Sequence, residues 1–164
     1  MAYSVFCTSP LGDIRIAFTD HALTGLWFVG QKTDPGADGF ERCEPGHPVA
    51  SAVQHCLDGY FAGMQPAFAY PLVPSGTAYQ KQIWQLLQKI PYGRTVTYGQ
   101  LAKAYEAAAG VSTSPRAVGG AVSRNPISIL IPCHRVLGAS GTLTGYAGGL
   151  ERKMALLRLE CAIL

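Results

Sequence analysis

Long apolar runs are missing from this chain of 164 residues. No segment approaches the roughly 18–20 consecutive apolar residues that a membrane-spanning helix needs. The first residues, Met1 to Val5, also lack the basic and then apolar order of a secretory signal. We therefore expect a protein without membrane association that works in the cytoplasm.

Paired cysteines and clustered metal ligands are also missing. The five cysteines are odd in number and scattered, and no two of them form a CxxC pair. This pattern argues against a disulfide framework and against a zinc ribbon, so we expect reduced thiols. Five cysteines and histidines near the start of the chain show no ligand spacing, and we predict no metal and no cofactor; they are Cys7, His21, Cys43, His47 and His55.

Acidic residues are scarce in the second half of the chain. Residues 76–164 carry ten basic and three acidic side chains, whereas residues 1–75 carry three basic and seven acidic ones. This division is hidden in the modest net charge of +3. It favours a polyanionic partner for the second half, with a solvated basic face as the alternative.

The first half has the pattern of a small α+β unit. Three short apolar segments at 3–8, 13–18 and 23–29, separated by turn residues, predict an antiparallel meander, and 30–48 reads as a loop. From Val49 to Phe61 the apolar residues follow helical spacing. We expect this helix to pack on the sheet, and residues 71–76 to form a linker.

The second half is predicted to be mostly helical. One amphipathic helix runs from Tyr79 to Ile90, and another begins after Thr97, which can cap it, and runs toward Gly110. A short helix over 116–123 follows Pro115, a residue favoured in the first helical turn. The last two helices match a helix-turn-helix pattern, which many proteins without DNA ligands also contain.

The short helix over 116–123 is rich in small residues. Ala117, Gly119 and Gly120 stand in it, and each glycine costs up to about 1 kcal/mol relative to alanine in a helix. Small residues allow a backbone to approach a surface such as the minor groove closely. Tight packing between helices would explain them equally well, and both explanations remain open.

The sequence places one thiol next to one imidazole. Cys133 precedes His134 and follows an apolar segment at 127–131. Cysteine is nucleophilic as the thiolate, which a neighbouring base or cation favours over the thiol of pKa about 8.5. A cysteine hydrolase fits less well, because it needs oxyanion donors and typically a distant histidine, and it would leave the basic half unexplained.

Several motifs together resemble the O6-alkylguanine-DNA alkyltransferase family. They are Tyr98-Gly99-Gln100-Leu101-Ala102, Arg116-Ala117-Val118-Gly119-Gly120-Ala121, Asn125-Pro126, Ile131-Pro132-Cys133-His134-Arg135-Val136, Thr144-Gly145-Tyr146-Ala147-Gly148-Gly149 and Leu156-Leu157-Arg158-Leu159-Glu160. The resemblance is strong over 76–160. It implies an α+β fold with a ribonuclease-H-like domain at 1–73, a small antiparallel sheet with a helix, followed at 74–164 by a mostly helical, winged-helix-like domain that contains the helix-turn-helix.

The resemblance also implies a reaction. A methyl or other alkyl group would move irreversibly from O6 of a flipped guanine in double-stranded DNA, or from O4 of thymine, to Cys133, once per molecule. The protein would be a monomer, with cooperative binding on DNA left open. The alternative is a lesion-recognising alkyltransferase-like protein with little or no transfer activity, but such proteins lack the cysteine that stands here at 133.

The resemblance implies catalytic roles for four residues. Cys133 would accept the alkyl group, and His134, oriented by Glu160, would take or relay the thiol proton. Asn125 would brace the turn that brings the end of the preceding helix against the active-site strand, because asparagine amides readily bond backbone near turns.

The resemblance implies further residues that contact the substrate. Tyr98 would crowd the phosphate beside the flipped nucleotide, Arg116 would fill the gap left in the base stack, and Ala117 and Gly119 would approach the groove. Tyr146 would form a pocket wall with Gly148 and donate to guanine O6. The backbone carbonyls of Cys133 and Val136 would hold the edge of the guanine.

Two stretches depart from the family's pattern. Residues 104–115 are several positions longer than the usual spacing, so we expect the helix-turn-helix loop to project differently. Lys153-Met154-Ala155 stands where relatives often have Lys-Glu-Trp, which leaves the local packing of the last helix open.

Overall fold

The first part of the chain is an antiparallel sheet with the strand order β1-β2-β3. The computed structural model describes residues 1–163. The strands are β1 (Tyr3–Cys7), β2 (Ile14–Phe18) and β3 (Leu23–Phe28). All five residues of β2 are buried, because β2 is the central strand and pairs with β1 on one side and with β3 on the other. The predicted meander is confirmed.

Helix α1 (Pro48–Phe61) covers this sheet with one apolar face. Its buried residues recur at helical spacing and include Val49, Val53, Leu57 and Tyr60. The helix begins at His47, whose Nδ1 accepts a hydrogen bond from the backbone N–H of Val49 at 3.2 Å.

The outer edge of β3 carries two further segments of the chain. The N–H of Leu23 donates to Pro71 O at 3.0 Å, and Val73 N–H donates back to Leu23 O at 2.8 Å. Three residues further along the same strand, the N–H of Leu26 donates to Pro126 O at 2.8 Å, and the N–H of Ser128 donates to Leu26 O at 2.9 Å. The predicted linker of 71–76 is therefore wrong for its first three residues, because the unpaired edge of β3 offers hydrogen bonds that these residues complete.

The second part of the chain is built on four helices. They are α2 (Ala78–Leu87), α3 (Tyr98–Ala109), α4 (Pro115–Ser123) and α5 (Leu150–Leu159). Thr77 and Thr97 begin α2 and α3 with capping boxes, and Gly110 ends α3 in the left-handed conformation at φ 71°. The consecutive helices α3 and α4 pack together and against α2.

Side-chain hydrogen bonds hold the turn between α3 and α4 against α2 and α3. The hydroxyls of Tyr79 and Thr113 are hydrogen-bonded at 2.7 Å, which ties the turn to α2. The N–H of Thr113 donates to Glu106 Oε2 at 3.1 Å, which ties it to α3. Residues 104–115 thus form the second half of α3 and a turn that is held to both α2 and α3.

Two short strands, absent from the sequence prediction, connect the helices to the rest. Strand β4 (Val96–Thr97) pairs in parallel with β5 (Val136–Leu137), so the start of α3 lies beside the segment that follows Cys133. The α+β class is confirmed, and a single hydrophobic core extends through both parts. The division at 73 and 74 stays a prediction. No helix within residues 1–163 is long and apolar enough to cross a membrane.

Candidate active site

Cys133 begins a short 3-10 helix, Cys133–Arg135, between the β3-bonded segment and β5. The structure thus replaces the predicted active-site strand by a helical turn. Cys133 is 5% exposed, and His134 and Arg135 are buried with it. The side chains of His134 and Arg135 both reach Glu160, whereas Cys133 lines a cavity.

The loop before Cys133 is tied together by the side chain of Asn125. Its Nδ2 donates to Ile131 O at 2.8 Å and Ile127 O at 3.2 Å, and its Oδ1 accepts from Ile127 N–H at 3.0 Å. Within the loop, Ile129 has φ 70°, a conformation that is rare for a β-branched residue. Asn125 is buried, and its contacts fit the bracing role predicted for it.

Glu160 is the centre of a buried polar network behind Cys133. Its Oε2 lies 2.5 Å from His134 Nε2 and accepts a hydrogen bond from the Tyr60 hydroxyl at 2.5 Å. Its Oε1 accepts from Arg135 Nε at 2.7 Å, and Arg135 also donates to Ile90 O at 2.8 Å. Tyr60 belongs to α1, so the first half of the chain contributes directly to this network.

The network sets the charges of its members. Burial alone would raise the pKa of Glu160, but the hydrogen bonds from His134, Arg135 and Tyr60 outweigh it and hold the pKa at about 2. Burial lowers the pKa of His134 despite the neighbouring carboxylate. At neutral pH the arrangement is therefore a Glu160 carboxylate facing a neutral imidazole.

The carboxylate also fixes the tautomer of His134. An ionised carboxylate only accepts, so the proton of the neutral ring lies on Nε2, and Nδ1 carries the free lone pair. Among residues 1–163, Nδ1 is buried without a hydrogen-bond partner. The ring is oriented to take up one proton on Nδ1.

Burial raises the pKa of the Cys133 thiol, so the sulfur is a thiol in the resting protein. The side chain of Asn125 and the charge of Lys153 act in the opposite direction but do not compensate. Thiolate formation at this position requires a base, and the prediction that the imidazole of the next residue provides it stays a prediction.

Lys153 is a fully buried lysine that the sequence analysis did not assign to the site. Its Nζ donates to the carbonyls of Val136, Thr144 and Gly145 at 2.6, 2.9 and 3.1 Å. Burial lowers its pKa to about 8. The lysine thereby fastens the segment after Cys133 to the one before Tyr146. The ammonium group of Lys153 occupies one lone pair of the Val136 carbonyl oxygen, and the second lone pair can still accept a hydrogen bond from guanine. The predicted contact between this carbonyl and guanine stays a prediction.

Cys133 opens into a cavity of about 370 Å³, within the usual range for ligand sites. Tyr98, Gly119 and Tyr146, all predicted from the sequence, line it together with Cys133. The remaining wall comes from Val122, Ser123, Arg124, Gly145, Ala147 and, unexpectedly, Lys32 and Thr33 of the first half. The cavity therefore lies at the junction of α4, the Tyr146 segment and the loop after β3.

Tyr146 presents a hydroxyl group to this region. The hydroxyl is buried and makes no hydrogen bond of regular geometry within the described residues, and it interacts with Ser128. Burial raises its pKa well above the usual range despite this interaction. It is therefore a protonated donor at any physiological pH. A side chain at Gly148 would stand 2.7 Å from the Tyr146 ring and 3.0 Å from Phe28, so the glycine allows the ring to lie where it does.

Arg116 and Ala117 lie outside the cavity, exposed at the start of α4. Arg116 lines an adjoining groove of about 520 Å³ that shares Tyr98, Gly119 and Gly145 with the cavity. The two concavities thus adjoin at these three residues. In the described part of the chain, no three His, Cys, Asp or Glu residues are grouped so that they could hold a metal ion.

Comparison with known proteins gives one consistent result. A sequence model described as the DNA-binding domain of 6-O-methylguanine DNA methyltransferase matches residues 78–162. A methylated-DNA–protein-cysteine methyltransferase of Mycobacterium leprae is 46% identical over 152 residues, which cover 93% of this chain and 88% of the relative. The enzyme of the same name from Methanosarcina acetivorans is 44% identical over 98% of both chains.

Solved structures agree over nearly the whole chain. The O6-methylguanine methyltransferase of Mycobacterium tuberculosis superimposes with a TM-score of 0.85 at 40% identity, covering 99% of this chain and 94% of the other. The same organism's OGT in complex with DNA gives a TM-score of 0.83 at 39% identity, covering 98% and 92%.

Proposed function

The chain belongs to the methylated-DNA–protein-cysteine methyltransferase family, and from that premise we propose that Cys133 is the alkyl acceptor. The protein is a DNA repair enzyme that acts by direct reversal, and its partner is double-stranded DNA carrying O6-alkylguanine. The observation that carries the assignment to Cys133 is its position at the inner wall of a cavity, with the His134–Glu160 pair behind it.

Activation of the thiol starts at His134. The Cys133 proton passes to Nδ1, directly or through one water molecule, and the imidazolium that forms donates from Nε2 to the ionised Glu160. The low pKa of Glu160, at about 2, keeps the carboxylate charged throughout, so it stabilises the imidazolium without taking its proton. Asn125 and Lys153 further stabilise the developing thiolate.

Transfer is then a single displacement. The Cys133 thiolate forms a bond to the alkyl carbon while the bond from that carbon to guanine O6 breaks, and the electron pair stays on the base. Tyr146, a protonated donor, hydrogen-bonds O6 and stabilises the departing guanine. The guanine anion then takes up one proton, equal to the one that left Cys133. The products are a thioether on Cys133, an unmodified guanine and a neutral His134.

The surface around the cavity has groups suited to a flipped nucleotide. Flipping costs a few kcal/mol, which contacts to the DNA must supply. Arg116, exposed in the adjoining groove, fills the gap in the stack, and Tyr98 at the junction crowds the phosphate. Ala117 and Gly119 let α4 approach the minor groove closely.

One turnover per molecule follows from the chemistry of the product. A thioether sulfur is a poor leaving group, and regeneration would need a second nucleophile at the site. All five cysteines are free, and among the described residues Cys133 is the only cysteine that lines the cavity. The enzyme is thus consumed by the reaction.

We further propose that the protein acts as a monomer in the cytoplasm, where a reducing environment keeps its thiols free. Residues 1–73 and 74–164 are proposed as its structural and DNA-binding domains. The site at Cys133 lies in the second of these, with Tyr60 and the Lys32 loop reaching it from the first.

Intact-mass spectrometry tests the acceptor directly. After incubation with duplex DNA containing O6-methylguanine, the protein should gain the mass of one methylene, mapped to the peptide that contains Cys133. Cys133→Ala should gain nothing yet bind the same DNA as the unreacted enzyme does. Cys161→Ala, which removes an exposed cysteine, is the matched control and should react normally.

Two results would contradict the proposal. Sustained multiple turnover at limiting protein would exclude a consumed acceptor. Binding without any mass gain in the unsubstituted protein would favour the lesion-recognising alternative.

A further inference from the structure

The cavity at Cys133 has one wall from the first half of the chain, and that wall carries a cation. Lys32 and Thr33 lie in the loop between β3 and α1 and line the cavity together with residues of α4. Lys32 is exposed and has no ion pair or hydrogen bond within the described residues. A lysine in this state is available to an anion that enters with the substrate.

The loop that carries Lys32 is held by the buried side chain of Gln31, which is 7% exposed. Its Oε1 accepts from Phe28 N–H at 2.9 Å, at the end of β3. Its Nε2 donates to Thr33 Oγ1 at 2.6 Å. These two bonds bracket Lys32 on both sides and fix the backbone from which its side chain extends.

A buried ion pair holds the other end of the loop. Asp34 Oδ1 accepts from Arg15 Nε at 2.8 Å, and both side chains are about nine-tenths buried, at 9% and 10% exposure. The backbone N–H groups of Gly30 and Gly36 also donate to Asp34, each at 3.0 Å. These donors outweigh burial and keep the pKa of Asp34 below its ordinary value. The loop is thereby held in one position on a rigid scaffold, as loops that carry binding residues often are.

The geometry points to the ligand. A base that reaches Cys133 and Tyr146 occupies the inner part of the cavity, while its own phosphates remain in the strand and stay at the mouth. The cationic side chains that line the cavity are Lys32, from the loop after β3, and Arg124, from the end of α4. We propose that Lys32 binds a backbone phosphate of the flipped nucleotide, so that the first domain contributes to holding the extruded strand. This inference rests on the proposed function.

The fastened loop gives this contact its strength. Immobilising a flexible loop together with a lysine side chain would cost conformational entropy on binding. Here the loop is already ordered by Gln31 and Asp34, so only the Lys32 side chain is immobilised. Lys32 thereby supplies part of the energy that base flipping costs.

Two substrates separate a phosphate contact from a contact to the base or the sulfur. The first is duplex DNA containing O6-methylguanine, and the second is free O6-benzylguanine, which has no phosphate. Lys32→Ala should lower the rate of transfer from DNA at subsaturating concentration by about 3- to 10-fold. Its reaction with the free base should be unchanged.

The salt dependence and two further variants complete the experiment. For Lys32→Ala, the slope of log rate against log salt concentration should be shallower by about one unit, as for the loss of one phosphate contact. Lys32→Arg should restore most of the rate, because it keeps the charge. Lys81→Ala removes an exposed lysine of α2 that does not line the cavity, and it should behave like the unsubstituted protein.

Equal slowing on both substrates would overturn the inference and would place Lys32 in contact with the base or sulfur. An unchanged rate on DNA would overturn it as well. Failure of the proposed function appears differently, because the unsubstituted protein would then transfer nothing from either substrate.

Discussion

Among single residues, Glu160 has the largest set of partners in the site. One carboxylate accepts from His134, Arg135 and Tyr60, and each donor comes from a different direction. Replacing such a group would leave Arg135 buried without its counter-charge, at a cost of about 3–5 kcal/mol. Removing one neutral donor is a milder change and tests the network without dismantling it.

Tyr60→Phe removes that donor and keeps the ring. The carboxylate then loses a stabilising hydrogen bond, so we expect the pKa of Glu160 to move from about 2 toward its ordinary value of 4.5. A depressed pKa stabilises the folded state above the unfolded pKa, and this stabilisation is lost as the pH falls toward the folded value. Stability should therefore fall by about 1–2 kcal/mol at neutral pH, and acid unfolding should begin at higher pH.

Urea unfolding between pH 7 and pH 2 measures both effects. Tyr92→Phe is the matched control, because its hydroxyl makes only a 3.4 Å bond to Gly63 O beside the same network. If both variants unfold like the unsubstituted protein at every pH, the Tyr60 hydroxyl contributes nothing to Glu160.

The sequence was a good guide to residues that lie in motifs and a poor one to the residues that support them. Cys133, His134 and Asn125 share one short segment, so their grouping could be predicted. Tyr60 is separated from Glu160 by 100 positions and looks like any core residue of an amphipathic helix. Lys153 could not be assigned either, since only the fold brings three carbonyls to its ammonium group.

At the scale of elements, α4 is a helix whose glycines are not required by its own packing. A Cβ at Gly119 would lie 3.7 Å from the Tyr98 ring, and one at Gly120 would lie 3.6 Å from Arg124 Nη1, both ordinary contact distances. Of the two explanations left open by the sequence, tight packing between helices loses its support. Close approach to a ligand remains.

Gly119→Ala separates stability from repair. Alanine should stabilise α4 by up to about 1 kcal/mol, because glycine is the poorer helix former. Gly119 lines both the cavity and the groove, so the added methyl group should displace the DNA. Transfer from O6-methylguanine DNA should then slow by about 10-fold or more, since a misplacement of about 1 Å can cost about 100-fold in rate. Thermal unfolding and single-turnover kinetics measure the two effects.

Gly120→Ala is the control for this prediction. It makes the same change in helix propensity but lies outside both concavities, so it should stabilise the protein and repair at the normal rate. A Gly119→Ala protein that is destabilised would instead favour the packing explanation.

The predicted helices and strands agree with the structure to within a residue or two, because apolar periodicity, capping residues and turn residues are local signals. The exception is α2, which was predicted to reach Ile90 and ends at Leu87. Strands β4 and β5 were not predicted. Each has two residues and forms only because the fold brings Val96 beside Val136. The pairing of 71–73 with β3 was missed for the same reason.

At the scale of the whole molecule, the two halves share one core. Leu26 bonds the segment before Cys133, and Tyr60 bonds Glu160, so both the sheet and α1 connect to the second half. The two halves thus differ in net charge, but their buried apolar residues form one continuous core.

Unfolding should accordingly be a single transition, although two domains are proposed. Trp27 in β3 and Trp84 in α2 report on the two halves, and both are buried. In Trp84→Phe and in Trp27→Phe, fluorescence of the remaining tryptophan and far-UV circular dichroism should give the same midpoint in urea. A midpoint for Trp27 that precedes the loss of helix would show that the first half unfolds by itself.

The bond between Tyr60 and Glu160 also has a consequence for synthesis. Ribosomes add about 5–20 residues per second, so Tyr60 waits roughly 5–20 s for a partner 100 positions later. During that interval the outer edge of β3 also lacks the segment at 126–128 that pairs with it. The nascent chain therefore exposes an open strand edge before its nucleophile can be activated, and a chaperone that shields this edge would find its target in that window.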